Sequence, residues 1–597
     1  MAGLTRRQFI ATAGAAASAF GLSLDDIGHL LAEPAALDRA LWRSSLDETI
    51  LFGPIQTGQY RTLKSGPGEP HIPRFDVLRR SIDDGRAQRR RSILYLAHLS
   101  DLHLIDAQSP GRIEPMIELD HSTWGGAFRP QDPLSPHAVA AMVQGVNDNA
   151  ISPITGSVMS AAVVTGDSAD MHSHLELRWY IDILDGVPVD PASGGPTYQG
   201  VQAWSEATWA YRPEDPTGGA FGDYGFPRLP TLLQDAISTP VASPGIQAPW
   251  YAVYGNHDTI LFGTFNASPE FHALAIGGQK AATLRATLEG AIEGWAGATS
   301  AWQQGATAFG LSLGGSGYRA VTANPARYIY DNREFIAEHF NTEPDPGPIG
   351  HGFTQRNLDT GETWWSDDLS PHVRALGLDT CNAVAGPDGA LPQDQFDWLR
   401  GELERATAEH RLVLILSHHN SQTMENAARR PGHDQRLIHS EEFIDLLLQY
   451  PVAVAWLNGH THNNQILAHT SRTGGFWEIT TASCIDFPQQ QQMVELIDNR
   501  DGTLSIFTTV VDHAAPITPT GAATTLDLAA RSRELSANDW AETPWVRRGS
   551  ALDRNTELLL PAPFDLSIIS DAALEAVGVK AAARRLDRER SAWEDIA

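Results

Sequence analysis

The chain has 597 residues, with 43 Lys and Arg against 72 Asp and Glu and a formal net charge of −29 at pH 7. So acidic a surface repels polyanions, so no nucleic-acid partner is expected, and any local positive site has to come from metal. Two cysteines, Cys381 and Cys484, exclude a disulfide scaffold and leave either one bridge or two free thiols.

The N-terminus, Thr5-Arg6-Arg7-Gln8-Phe9-Ile10 followed by an Ala-rich apolar segment, has the layout of a twin-arginine export signal over residues 1–32. Cleavage after Ala19 or after Ala32 fits equally. The mature protein is then expected in the periplasm, on the cell wall or outside the cell. The segment is too rich in small residues for a bilayer span, and no later apolar run is long enough. Residues 33–90 are turn-rich and read as a surface wrapping segment.

A catalytic domain is expected over 91–515. Ser92 to Leu99 reads as a buried strand ending at Ser100-Asp101-Leu102-His103. His137 to Asn147 has a helical pattern, and Met159 to Thr165 is a strand closing on Gly166-Asp167-Ser168-Ala169-Asp170, with Asp170 a capping or supporting carboxylate. Residues 186–249 form a first insert, whose Tyr198, Trp204, Trp209, Tyr211, Tyr224 and Phe226 are expected to pack the loop onto the body. The apolar run Trp250 to Tyr254 gives out into Gly255-Asn256-His257-Asp258.

A second insert, 260–370, holds an expected helix from Gln279 to Trp295, an amphipathic stretch from Arg327 to Phe340, and a loop histidine, His351, read as solvated or facing substrate. Alternation of strand and helix then resumes. Val373 to Leu378 is a strand and Pro392 to Ala406 a helix with Phe396, Leu399 and Leu403 on one face. Arg411 to Leu416 ends at Ser417-His418-His419-Asn420. The helix Glu441 to Gln449 leads to the strand Val452 to Leu457 and to Gly459-His460-Thr461-His462. Met493 to Ile497 and Leu504 to Val510 read as a hairpin around Asn499-Arg500-Asp501-Gly502. Residues 516–597 are a C-terminal extension, helical from Ala572 to Trp593, without an assignable motif.

Collected at the strand ends are Asp101, His103, Asp167, Asn256, His418, His460 and His462. Two carboxylates, one amide and four imidazoles exceed the needs of one ion and suit two, of the Mn, Fe or Zn kind, since no thiolate is among them. Two such ions leave the centre positive and make it an anion trap suited to phosphate. Asn256 adds no charge, and its neighbour His257 is free to face substrate and protonate a leaving oxygen.

The blocks DLH, GDSAD, GNHD, SHH and GHTH, in this order, resemble the signature of the calcineurin-like metallophosphoesterase superfamily, most of all an exported actinobacterial-type group with long inserts. The resemblance covers segments near 92–105, 158–170, 250–258 and 373–510. It implies an α/β fold, a two-sheet α-β-β-α sandwich with long insertions and metals at the strand ends. It further implies that Asp101, His103 and His462 hold one metal, that Asn256, His418 and His460 hold the second, and that Asp167 bridges them. His418 matches the family's ligand better than His419, and His257 its catalytic histidine, steadied by Asp258. Purple acid phosphatases have a tyrosine where this chain has Asp170, so a tyrosinate-iron centre is not expected.

The expected activity is hydrolysis of phosphomonoesters or phosphodiesters, of a small molecule or of the cell envelope, by attack of a metal-bridging hydroxide. The alternative is a non-catalytic metal-dependent protein binding a cell-surface anion or glycan. His257 separates the two, because a pure binding site has no use for it. Which ester is cleaved, and the oligomeric state, are not legible.

Overall fold

A computed structural model describes residues 44–578, apart from 119–123, 268, 284–316, 430, 431, 433 and 473. The export segment lies outside the described residues, as do most of the helix expected from Gln279 to Trp295 and the end of the C-terminal helix, of which 571–578 is helical.

Two large sheets carry the fold. The seven-stranded sheet runs Ile72–Arg74, Thr556–Pro561, Thr503–Asp512, Gln490–Asp498, Arg91–Leu99, Ala161–Val164, Trp250–Ala252. The six-stranded sheet runs Gln465–Thr470, Gly475–Thr480, Ala453–Asn458, Leu412–Leu416, Val373–Gly377, Trp365–Ser370. Each has a parallel portion: Arg91–Leu99, Ala161–Val164 and Trp250–Ala252 at one side of the first, and the four central strands from Gly475–Thr480 to Val373–Gly377 in the other.

Side chains alternate between two cores, which fixes the layering. Leu412, Leu414 and Leu416 join a core shared with Leu94, Leu96, Met493 and Leu496 of the other sheet. Val413 and Ile415, on the opposite face, pack with Phe396, Leu399 and Leu403 of the helix Gln393–Ala408 and with Phe443 and Leu447 of the helix Ser440–Leu447. The far face of the seven-stranded sheet is covered by the helix Ser135–Asp148, which packs in turn on Thr525–Ala537 through Ala141, Ala529 and Ala530. The result is the expected two-sheet α-β-β-α sandwich. Parallel strands covered on both faces read as near-continuous apolar runs, and every position of Ala161–Val164 and of Leu412–Leu416 is buried.

Four expectations are corrected. Within the segment expected to wrap, the described residues 44–90 do more: Glu48–Thr57 and Tyr60–Pro67 form an antiparallel hairpin, and Ile72–Arg74 joins the main sheet beside Thr556–Pro561. Gln279–Ala281 is a strand paired with Tyr318–Ala320 rather than the start of a helix, because Lys280 is buried against Glu114 and two backbone carbonyls. His351 is neither solvated nor part of the donor cluster. It is fully buried, stacked on Trp250 with centroids 3.5 Å apart, and its Nδ1 lies 3.0 Å from that of His339. The fourth correction concerns Asp258 and is given with the site below.

The first insert does pack by its aromatics: Tyr211, Phe221 and Phe226 form a cluster with Tyr60 of the hairpin and with Leu528 and Leu535 of the C-terminal extension. Cys381 and Cys484 are both free. Among the described residues no helix is long and apolar enough to cross a membrane.

Candidate metal centre

The five motif turns all follow the carboxyl ends of parallel strands, the edge at which open α/β sheets bind ligands. Two come from the six-stranded sheet and three from the other, so the turns meet where the sheets' ends converge. Meeting this closely requires glycine. A Cβ on Gly255 would collide with the backbone and carboxylate of Asp167, and one on Gly459 with Ser100 and the Asp101 carboxylate. Asp101, His103, Asp167, His460 and His462 all have positive φ, between 44° and 69°. A left-handed L-residue costs about 1–2 kcal/mol, so five within one site mark strain held in place for a purpose.

The hydrogen bonds at the rim of the cluster decide which way each donor atom faces. His103 Nδ1 donates to Asp170 at 3.1 Å, His462 Nδ1 to Asp486 at 2.6 Å, and His418 Nδ1 to the Thr165 carbonyl at 2.8 Å. The Asn256 amide N–H donates to the Gly263 carbonyl at 3.1 Å. None of these partners can donate in return, so the protons are spent outward. The remaining lone pairs, on Nε2 of the three histidines and Oδ1 of Asn256, turn inward.

There they meet one another and the carboxylates. His103 Nε2 is 3.1 Å from His462 Nε2, which is 3.2 Å from Asp101 Oδ1. His418 Nε2 is 2.8 Å from Asn256 Oδ1, and His460 Nδ1 is 3.1 Å from both. Asp167 Oδ2 lies between the groups, 3.5 Å from His103 Nε2 and 3.2 Å from His418 Nε2. Acceptors facing acceptors repel unless positive charge sits among them. Donors around one ion at bond lengths near 2.1 Å lie about 3.0–3.4 Å apart; the separations of 2.8–3.2 Å above come close to this, with His103 Nε2 and Asp101 Oδ1 wider, at 4.0 Å. The residues therefore fit a metal centre, with Asp101, His103 and His462 in one group, Asn256, His418 and His460 in the other, and Asp167 shared.

Electrostatics point the same way. Burial opposes ionisation of Asp101 and Asp167, yet His462 and His418 hold both carboxyls well below the usual range. Burial would likewise lower His418 and His462, but Asp167 and Asp101 respectively pull them up to about 9. The carboxylates demand compensation, by protons or by cations.

His419, adjacent to His418 and buried, is fully engaged elsewhere: Nε2 donates to the Pro387 carbonyl at 2.8 Å, and Nδ1 accepts from the Thr380 hydroxyl at 2.8 Å. It has no lone pair left for an ion.

His257 stands beside the cluster, half-buried, its ring 4.7 Å from that of His103. Its backbone N–H donates to Asp167 Oδ1 at 2.9 Å, and its Nδ1 to the Asp170 carbonyl at 2.7 Å. Here the expectation about Asp258 is corrected. That carboxylate does not steady the ring. It is fully buried and accepts from the backbone N–H groups of Ser168, Ala169 and Gly255 at 3.0–3.2 Å, clamping two motif turns together. Three amide donors from two turns hold it where a single ring could not.

Of the layer behind the donors, sequence reading had only Asp170, as a supporting carboxylate, and missed Asp486 and the arginines. Asp170 pairs with Arg112, and Asp486 with Arg129 and Arg547. Asp486 had a signal: it follows the apolar strand Gly475–Thr480, as the motif residues follow theirs. The arginines come from turns without pattern.

No family model and no curated protein matches the chain. Solved structures similar to it include a dimetal phosphatase from Danio rerio, at 10% identity and a TM-score of 0.33 over 71% of this chain and all of that one. Another is the sulfate thiohydrolase SoxB from Thermus thermophilus, at 10% identity and a TM-score of 0.24 over 68% of this chain and 54% of that one. At these scores neither likeness assigns a residue, and the centre rests on its own donors.

Proposed function

We propose that the chain is an exported phosphoester hydrolase working with two metal ions of the Mn, Fe or Zn kind. The observation that carries this reading is the inward convergence of seven donors in two groups with Asp167 between them, beside a histidine that belongs to neither. When bound, such ions would supply positive charge for phosphoryl oxygens and acidify a water molecule.

The chain's own residues do the rest. Asn256 donates without charge, so the donor set carries only the two negative charges of Asp101 and Asp167 and a bound anion is not repelled. Asp170, through its carbonyl, fixes the His257 ring by accepting from Nδ1–H at 2.7 Å. Nε2 is then the atom that can hold a proton for the departing ester oxygen, the task of a general acid. Asp258 keeps the GNHD and GDSAD turns in register, so that His257 and Asp167 move as one unit. Export is supported by the twin-arginine pattern at Arg6 and Arg7.

The test combines elemental analysis with a screen of aryl and alkyl phosphomonoesters and phosphodiesters, before and after chelation. The expected result is two ions per chain and hydrolysis that chelation abolishes and metal restores. Two retained ions with no ester hydrolysed would refute it.

A further inference from the structure

One buried side chain reaches both carboxylates that orient ligand histidines of the first group. Arg129, 4% exposed, donates from Nε to Asp486 Oδ1 at 2.6 Å and from Nη2 to Asp486 Oδ2 at 3.3 Å. Its Nη1 lies 3.9 Å from Asp170 Oδ1. Asp486 in turn holds His462, and Asp170 holds His103. A single planar guanidinium therefore grips Asp486 at two points and lies within ion-pair range of Asp170, whose closer partner is Arg112, so it touches the support of both imidazoles. Among the described residues the second group shows no such arginine: His418 and Asn256 are oriented by the backbone carbonyls of Thr165 and Gly263.

We infer that Arg129 is a positioning residue that sets the cation affinity of the Asp101, His103 and His462 group and leaves the Asn256, His418 and His460 group untouched. The inference rests on the proposed metal reading. Physically, the fork geometry of arginine fixes a carboxylate in two places at once, which a lysine or glutamine cannot do. Without it, Asp486 loses its two-point grip and keeps only Arg547 at 3.6 Å and His462, while Asp170 keeps Arg112 and loses a neighbouring positive charge. The rings they hold lose their common orientation. Losing support of this kind typically costs 10–100-fold in metal affinity.

A double-mutant comparison on the full chain reads this directly, with Zn2+ alone as the probe and equilibrium dialysis against a competing chelator as the measurement. Asn256→Ala cripples the second group and His462→Ala the first. Adding Arg129→Gln should weaken Zn2+ binding about 10–100-fold in the Asn256→Ala background and leave it unchanged in the His462→Ala background. Equal losses in the two backgrounds, or no loss in the first, would overturn the assignment. Circular dichroism checks folding, and should the glutamine variant fail to fold, Arg129→Lys decides by the same comparison, since it keeps the charge and removes the fork. Turnover is not the readout, so failure of the phosphoesterase reading leaves a separate trace: two bound ions and no hydrolysis.

Discussion

Replacing His257 by alanine separates chemistry from metal binding. The substitution removes only the ring, because the backbone N–H that donates to Asp167 Oδ1 at 2.9 Å survives, and Asp258 keeps its three backbone partners. Metal content should therefore match wild type. Loss of a positioned proton donor costs about 10²–10⁴-fold in rate, or about 3–5 kcal/mol of barrier. The cost depends on how badly the leaving oxygen needs a proton. An alkoxide needs one fully, so kcat on an alkyl ester should fall toward the upper end of that range. A 4-nitrophenolate leaves readily as the anion, so its ester should lose much less. The assay is kcat for both esters at one pH, with elemental analysis of each preparation. Equal losses on the two esters would refute the proton-donor role, and loss of metal would show that the ring is structural.

Further expectations concern single side chains. His418→Ala should release an ion, whereas His419→Ala should keep both and cost about 1–3 kcal/mol of stability through the partners it leaves unpaired, checked by metal analysis and denaturation. Gly459→Ala should drive a methyl group into Ser100 and Asp101 and weaken metal binding about tenfold or more in a chelator titration. Glu176, fully buried, has its carboxyl raised to about 8, first by burial and then by Asp170, against backbone N–H groups that lower it. A folded pKa above the unfolded value contributes stability that is complete below about pH 4 and lost as pH rises through about 8. Wild-type unfolding midpoints should thus fall across that window, and Glu176→Gln should flatten the profile; identical profiles would contradict the assignment.

The donor turns were legible because buried parallel strands are unbroken apolar runs, and an Asp or His directly after one stands out. The seven donors were collected because they stand at strand ends, and their division into two groups followed from the resemblance; the structure brings neighbouring donor atoms within 2.8–3.5 Å. Beyond Asp170 the supporting layer was not legible, because its partners are far apart in the chain: Arg129 and Asp486 are separated by 357 residues. The N-terminal hairpin was hidden by Gly53-Pro54 inside its first strand, where a bulge absorbs the irregularity. His351 looked like a loop histidine because its neighbours are glycines, yet those glycines let the turn fold inward until the ring lies on Trp250. Asp258 looked like a partner for its neighbour, whereas its hydrogen bonds run to the backbone ninety residues earlier.

The first donor hangs from a strand made late. Ser100 N–H donates to the Gln491 side chain, 391 residues downstream, and that side chain donates back to the Ser100 carbonyl. A growing chain therefore lacks this support for the Asp101 turn until Gln491 has emerged, and a fragment ending before Gln490 would lose the hook from which Asp101 is suspended.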